Sequence, residues 1–333
     1  PESEPFLFLA HLQTSMEIRA IVPVFLFSLL AIAVAANAST AGPENSWVDA
    51  TDDIIGGSST LASFAANQTV SSSTTQDDAQ TIIEVYTATW CETCVPAEEA
   101  LDATIEGKTT QLVKYHRHLF ETEDPFGNNN TEGRWLSRYG PSAAQAGFSA
   151  RTPPTVVFGG ERMHIGSHPE PGTTLEEEYS RSLEIESRPP ISGHSEFTFT
   201  WEDGTFEWSW DWEEDTTACR STCDQVTTDL FLMVIEDTAF FPEGSNGQEI
   251  YHRILRDVIP MENNSIEYSL PEAWDGDDLS ILVVLDWREI PPSTTFFQSL
   301  PSVGLEFVVA ILALTAMFNS KRLEKNAGFN NLR

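Results

Sequence analysis

The chain has 333 residues, with 51 acidic side chains against 18 basic ones, and its formal net charge is −33. This excess of negative charge repels phosphate backbones, so it argues against nucleic acid as a partner and favours a heavily solvated surface suited to an extracellular or salty setting. The length allows roughly two domains of about 150 residues each, provided that the two ends of the chain have other roles.

The start of the chain has the pattern of an export signal. Arg19 precedes an apolar core at 21–36, and small residues lead up to Ala38. A positive residue, a short apolar core and an Ala-x-Ala ending predict a secretory signal peptide at 16–38, with a retained membrane anchor as the alternative. Export would place the four cysteines of the chain where disulfides persist.

A polar segment separates this signal from the first predicted domain. Residues 39–80 are rich in Ser, Thr, Ala, Asp and Gly without a sustained period, so we interpret them as a flexible stalk. The first folded domain is predicted at 81–188, where apolar residues recur at strand or helix spacing. Its predicted elements are a strand at 82–86, a helix at 94–106, a strand at 111–119, a helix at 131–139, strands at 155–158 and 162–165, and a helix at 175–186.

A Cys-x-x-Cys motif lies between the first strand and the first helix of this domain. In the stretch Trp90-Cys91-Glu92-Thr93-Cys94, Cys91 is placed at the start of the helix, where unpaired N–H groups and the helix dipole favour a thiolate. Cys94 follows three residues later on the same helical face, within reach of a disulfide. The motif therefore predicts that Cys91 is a nucleophile and that Cys94 resolves.

A second segment completes the pattern of a known fold. Pro153 and Pro154 come directly before the predicted strand at 155–158. Together with the Cys-x-x-Cys motif they resemble the thioredoxin family, over about a third of the chain. The resemblance implies an α/β thioredoxin-like domain, a cis-proline at Pro154 packed beside the cysteines, and reversible dithiol–disulfide exchange in which Cys91 attacks and Cys94 resolves a mixed disulfide.

Three residues bear on how far the chemistry of that family carries over. Glu92 follows the nucleophile, and a like charge raises the pKa of Cys91, which predicts a reductant or isomerase rather than a strong oxidant. Pro153 has no N–H to offer an extended substrate. Glu84 is the candidate for the buried acid that family members hold under the cysteines; a surface position, or a one-residue slip that points Val85 there, is the alternative.

A looser likeness extends over more of the chain. Segments around Glu84, 124–128, 134–139, 234–237 and 252–257 are similar to a family of bacterial surface proteins named for a twenty-eight-kilodalton outer-membrane founder. Those proteins pair a thioredoxin-like head with a β-rich domain. The likeness implies exposure at a cell surface more clearly than it implies an activity.

The second domain is predicted at 191–290, after a proline-rich linker. Aromatic residues alternate with polar ones on both sides of a turn at 202–204, and further apolar runs predict more strands. We therefore interpret this region as an all-β sandwich of immunoglobulin-like kind. The aromatic stripe is interpreted as sandwich core, with a carbohydrate platform as the alternative.

The other two cysteines, Cys219 and Cys223, fall in a polar loop of this second domain. In an exported chain they indicate a local structural disulfide. A second redox pair and a zinc site built from all four cysteines are the alternatives. His116 and His118 share one face of a strand without a third ligand and are interpreted as surface residues, so no metal and no cofactor is predicted.

The chain ends in an apolar run followed by basic residues. As a helix, residues 303–318 would span about 24 Å, which predicts a transmembrane anchor with a basic cytoplasmic tail at 319–333. The stretch at 300–304 resembles a cell-surface sorting signal in which Val303 replaces the usual threonine. These features predict a single-pass cell-membrane location with the folded domains outside the cytoplasm.

The combined features predict a membrane-anchored, extracytoplasmic thiol–disulfide oxidoreductase of reductase or isomerase type. Its expected partners are thiols or disulfides of exported proteins and, through the C-terminal helix, the membrane. The rival hypothesis is a non-catalytic surface module that keeps a static Cys91–Cys94 disulfide for binding or architecture. Glu92 and Pro153 favour the rival, whereas Pro154 and the placement of the motif favour the enzyme.

Overall fold

The computed structural model describes residues 47–51, 55–119, 124–185 and 189–292. In these ranges the fold is mainly β, with thirteen strands and three α-helices. The strands are β1 (Trp47–Asp49), β2 (Gly56–Ala65), β3 (Val70–Thr75), β4 (Gln80–Thr87), β5 (Thr110–His116), β6 (Thr155–Phe158), β7 (Arg162–Ile165), β8 (Glu196–Glu202), β9 (Thr205–Asp211), β10 (Gln225–Phe240), β11 (Ile250–Pro260), β12 (Ser265–Glu267) and β13 (Leu279–Ile290). The helices are α1 (Cys94–Ile105), α2 (Asn129–Gln145) and α3 (Leu175–Leu183).

The larger sheet closes on itself. Its strand order is β1-β7-β6-β4-β2-β13-β10-β11-β5, and β5 also pairs with β4, so six strands from β4 to β5 form a closed barrel. β5 is parallel to both of its neighbours, β4 and β11, whereas the other pairings in the ring are antiparallel. Strands β6, β7 and β1 continue outward from β4 as an open extension.

Alternation along the strands sends neighbouring side chains to different cores. On β4, Ile82 and Tyr86 belong to the interior cluster that also holds the aromatic residues of α2. Ile83 and Val85 point the other way, into a cluster with α1 and α3. α1 and α3 therefore cover the outside of the sheet at β4, β5 and β6, whereas the aromatic side chains of α2 pack in the interior cluster.

The smaller sheet, in the order β12-β9-β8-β3, covers another side of the barrel. Its aromatic residues Phe197, Phe199, Trp201 and Phe206 are buried against β10 and β13. The prediction that the aromatic stripe is core is confirmed for these residues, whereas Trp210 and Trp212 are half-buried, and the core lies between this sheet and the barrel rather than in a separate sandwich. Large rings buried on one face hold the sheet against the barrel.

The predicted fold class, an α/β thioredoxin-like domain followed by a separate immunoglobulin-like sandwich and a transmembrane helix, is wrong. β10, β11 and β13, which were predicted for the sandwich, lie in one sheet with β4 and β5, which were predicted for the first domain. The apolar pattern of a strand shows which residues are extended, but it does not show which strand edges pair. The types and order of the elements between β4 and α3 do follow the sequence prediction.

The segment interpreted as a flexible stalk contributes three strands, β1, β2 and β3, and the first residue of β4. β2 lies between β4 and β13 in the barrel, and its first six residues are buried. A Cβ added at Gly57 would lie 2.7 Å from the Trp287 ring and 2.9 Å from the carbonyl oxygen of Gly159. The small residues that suggested flexibility are therefore those that such close packing requires.

The helices of the structure contradict the predicted single-pass membrane location. In the part of the chain that the structure describes, no helix combines the length and the apolar character needed to cross a bilayer. The predicted anchor at 303–318 and tail at 319–333, like the predicted signal peptide at 16–38, lie outside the described residues.

Candidate functional site

The Cys-x-x-Cys motif lies in the turn between β4 and α1. The N–H of Cys91 donates to the Ala88 carbonyl at 3.0 Å, and the N–H of Cys94 donates to the Cys91 carbonyl at 3.1 Å. α1 begins at Cys94, so both cysteines lie at its N-terminal end, and their sulfurs form a disulfide. The helix dipole would favour a thiolate at this position once the bond is reduced.

The disulfide is nearly closed off from solvent. Cys91 exposes 4% of its surface and Cys94 exposes none. Ala88 and the half-buried Trp90 pack in one cluster with the two cysteines. A partner molecule must therefore reach the bond from the Cys91 side.

The proline pair directly precedes β6, the strand that pairs with β4. The peptide bond between Pro153 and Pro154 is cis. Thr155, the first residue of β6, is the register partner of Tyr86 near the end of β4. Because β4 runs directly into the motif, this register places Pro154 beside the residues that lead to Cys91.

Glu84 does not join the cysteines. Its side chain accepts hydrogen bonds from the hydroxyls of Tyr115, at 2.5 Å, and Tyr139, and it lies 3.5 Å from the guanidinium of Arg134. These partners belong to the barrel interior, whereas α1 packs on the opposite face of β4. The one-residue alternation of the strand that points Val85 toward α1 therefore points Glu84 away from it.

A different buried acid lies on α1, the helix that begins at Cys94. Glu98 follows Cys94 by one helical turn, and its carboxylate lies 2.5 Å from the Nζ atom of Lys114 on β5. The hydroxyl of Thr87 donates to the other oxygen at 2.6 Å. Burial opposes the charged form of Glu98, but the ammonium of Lys114 and the Thr87 hydroxyl outweigh it, so the pKa of the carboxyl lies below its usual value.

The sequence contains two signals for this ion pair that the prediction missed. Glu98 is spaced four residues from Cys94, which places both on one helical face. Lys114 interrupts an apolar strand, and its register partner Val85 faces α1. Since a buried charge needs an opposite charge close by, a lysine on that face requires an acid from α1.

A histidine and an aspartate brace the motif from the end of β5. The Nδ1 atom of His116 and the Oδ2 atom of Asp124 are 2.8 Å apart, and the same oxygen accepts a hydrogen bond from the Thr89 N–H at 2.8 Å. His116 is 1% exposed, so its interpretation as a surface residue is wrong. Its ring packs edge-on against Phe126 and Tyr251.

The loop at 241–249, between β10 and β11, packs on the residues that precede Cys91, and we call it the strap. The N–H of Asn246 donates to the Thr89 carbonyl at 3.1 Å, and the Tyr251 hydroxyl donates to the Asn246 side chain at 2.9 Å. Between the strap and the motif is a pocket of about 400 Å³, lined by Thr89, Trp90, Phe241, Glu243, Gly244 and Ser245. The strap comes from a part of the chain that the thioredoxin resemblance does not cover.

Cys219 and Cys223 form a second disulfide in the loop before β10. This loop is held by Glu289, which accepts a hydrogen bond from the Arg220 N–H at 2.8 Å, and by an ion pair between Arg220 and Glu161. Within the described ranges, no group of three or more His, Cys, Asp or Glu side chains is arranged to hold a metal ion.

Comparison with known proteins adds likenesses of overall structure. No family model and no curated protein matches the chain. The chain is similar to the crystal structure of protein AGR_C_4864 from Agrobacterium tumefaciens, at 13% identity and a TM-score of 0.38, covering 64% of this chain and 78% of that one. It is also similar to HBP35 of Porphyromonas gingivalis, at 11% identity and a TM-score of 0.38, covering 68% of this chain and 81% of that one. Likenesses at this level carry no argument about function.

Proposed function

We propose that the protein is a thiol–disulfide oxidoreductase that acts on the thiols and disulfides of exported polypeptides. The observation that carries the proposal is the setting of the Cys91–Cys94 disulfide, which lies at the start of α1 with a buried ion pair one turn below it. The register that sets Pro154 opposite the end of β4, just before the motif, supports the proposal further. The likeness of the Cys-x-x-Cys motif and the proline pair to the thioredoxin family is part of the same proposal.

In the proposed reaction the reduced protein transfers two electrons to a substrate disulfide. The Cys91 thiolate attacks one substrate sulfur, a mixed disulfide forms, and the other substrate sulfur leaves as a thiolate that takes up a proton. Cys94 then loses its proton and attacks the sulfur of Cys91, which closes the protein disulfide and releases the second substrate thiol. A dithiol donor must reduce the protein again.

Glu98 is the residue we propose to hold the proton of Cys94 in transit. It lies on the same helical face as Cys94 and is buried, so it can exchange a proton without bulk water. Lys114 keeps the carboxylate charged between turnovers. Glu84, which the sequence analysis assigned to this role, contacts the barrel interior instead.

The direction of the reaction follows from the charge beside the nucleophile. Glu92 is exposed and adjacent to Cys91, and a like charge disfavours the thiolate against the effect of the helix dipole. A less stable thiolate makes the disulfide a weaker oxidant. We therefore propose the reductase or isomerase direction rather than substrate oxidation.

Reduction of insulin by dithiothreitol, followed by turbidity, tests the proposal. We expect the wild-type protein to accelerate the reaction, the Cys91→Ser variant to lose all acceleration, and a Cys219→Ser, Cys223→Ser double variant to keep it. A wild-type protein that is no faster than dithiothreitol alone would overturn the proposal.

A second candidate function, a non-catalytic binding or structural module, is favoured by the burial of the bond. Cys94 exposes no surface, and the strap packs on Thr89 just before the motif. In this case the disulfide would serve as a brace between β4 and α1. Alkylation with iodoacetamide after mild reduction separates the two, because an exchanging Cys91 reacts in the folded protein and a brace reacts only on unfolding.

A further inference from the structure

Three of the large apolar side chains that remain exposed among the described residues lie together. Phe240 is 54% exposed, Ile250 53% and Trp274 41%. Phe240 and Ile250 are direct register partners on β10 and β11, so their side chains share one face of the sheet. The indole N–H of Trp274 donates to the Phe240 carbonyl at 3.0 Å, which fixes the third ring at the same strand end. We call these three residues the apolar patch.

The apolar patch continues into the pocket beside the disulfide. The ring centroids of Trp274 and Phe241 are 5.7 Å apart, and Phe241 lines the pocket of about 400 Å³ together with Trp90. Trp90 directly precedes Cys91. A chain bound on the patch could therefore follow one apolar track to the more exposed sulfur of the pair.

Carboxylates surround this track. Glu243 and Glu249 lie on the strap, and Asp275 and Asp277 lie on the loop that carries Trp274; all four are exposed. The net charge of −33 adds a negative field over longer range. This rim favours cations and repels the anionic headgroups of a lipid surface.

We propose that the patch and pocket dock an extended polypeptide segment whose apolar side chains are flanked by Lys or Arg, and that they present a cysteine of that segment to Cys91. The inference rests on the proposed exchange function and names its substrate class. Apolar side chains would bury the three exposed residues, and the basic flanks would pair with the carboxylate rim. Large apolar side chains are mostly buried once a protein has folded, so we infer that the substrates are unfolded or partly folded chains.

Binding of a fluorescein-labelled, cysteine-free peptide of alternating Leu and Lys to the oxidised full chain, read by anisotropy, tests docking apart from redox chemistry. We expect saturable binding that weakens about tenfold in a Phe240→Ser, Ile250→Ser variant, because two apolar side chains lose their buried contact. The control is Ile185→Ser, which removes a side chain that is 46% exposed beyond α3, and it should bind the peptide like wild type.

A variant of the carboxylate rim tests docking even if the double serine variant does not fold. Glu243→Gln with Glu249→Gln changes only exposed side chains and should weaken binding severalfold at low salt, with a smaller difference at high salt. Equal affinity in all variants, or equal binding of an alternating Leu and Glu peptide, would overturn the docking proposal.

The same proteins separate this inference from the exchange function on which it rests. If oxidised glutathione oxidises the reduced protein while the peptide does not bind, the exchange function stands and the docking surface is wrong. If the peptide binds but neither glutathione nor a cysteine-containing version of the peptide exchanges with Cys91, the exchange function is wrong.

Discussion

The two disulfides of this protein join cysteines at almost the same spacing but lie in very different surroundings. Cys91 and Cys94 are buried at the start of a helix, and a buried ion pair of Glu98 with Lys114 lies one turn below them. Cys219 and Cys223 are half-buried in a loop, and the nearby ion pair uses Arg220, whose side chain is 40% exposed.

Spacing alone makes a disulfide possible, whereas its surroundings decide whether it can exchange with other thiols. A helix start favours a thiolate, and in the function proposed above Glu98 takes up the proton and the apolar track binds the substrate. A loop held by an ion pair that is open to solvent on the arginine side gains only a local constraint from its bond. Variants at the charged groups beside each cysteine pair test this difference.

The largest effect is expected from breaking the buried ion pair. Lys114→Met leaves the Glu98 carboxylate buried without its partner, and such a loss typically costs about 3–5 kcal/mol. The free energy of unfolding, from urea titration followed by circular dichroism, measures it. A Lys114→Met, Glu98→Leu double variant is the control and should recover most of the loss, since no charge is then left unpaired. A single variant as stable as wild type would contradict this account.

A smaller loss is expected where Asp124 braces the motif. Asp124→Asn keeps the shape but removes a charge that accepts hydrogen bonds from His116 and the Thr89 N–H. Hydrogen bonds to charged groups are worth about 1.5–3 kcal/mol, so stability should fall by that order. Urea titration measures the loss, and Asp277→Asn, at an exposed loop position, should leave stability unchanged. Equal changes in the free energy of unfolding of the two variants would show that the Asp124 hydrogen bonds do not stabilise the fold.

The titration of Glu98 predicts part of the acid sensitivity of the fold. Its pKa in the folded protein lies below the ordinary value of 4.5, because Lys114 outweighs burial. The stabilisation is therefore fully present above pH 4.5 and is lost as the pH falls through the folded pKa. Unfolding free energies measured between pH 7 and 3 should fall less steeply in Glu98→Gln than in wild type. Parallel pH curves for the two proteins would contradict the assignment.

The smallest effect is expected at the second disulfide. Arg220→Ala removes an ion pair in which Glu161 is buried but the arginine side chain is 40% exposed. Water can therefore take the place of the guanidinium, and the loss should be about 1 kcal/mol, well below that of a fully buried pair. Thermal unfolding of the variant should be close to that of wild type, and insulin reduction should be unchanged. A large loss of activity would mean that the second disulfide belongs to the redox site.

The sequence predicted local structure well and long-range pairing poorly. The strands and helices from β4 to α3 follow from the spacing of apolar residues, which is a local property. Closure of the barrel depends on the pairing of β2 with β13, which are more than two hundred residues apart in the sequence. The sequence of neither strand indicates which strand it pairs with. The composition of β2 was misread because small residues serve tight packing as well as flexibility.

The candidate site divides in the same way. The cysteines and Pro154 were identified because their motifs are local and specific. Glu98 was missed because the ion pair depends on Lys114 of β5 lying opposite it in the fold. Glu84 was chosen because the buried acid beside the cysteines was expected on the preceding strand, whereas the buried acid one turn from Cys94 is on α1. The strap could not be predicted, since only the tertiary fold brings Asn246 to Thr89.

Trapping of a mixed disulfide tests the central claim most directly. A Cys94→Ser variant and, for comparison, a Cys223→Ser variant are each mixed under native conditions with a disulfide-bonded peptide, and the adducts are located by mass spectrometry. We predict rapid formation of an adduct at Cys91 in the first variant, at least about tenfold faster than at Cys219 in the second. An adduct at Cys219 alone, or one at Cys91 that forms only in denaturant, would contradict the claim that Cys91 exchanges with polypeptides.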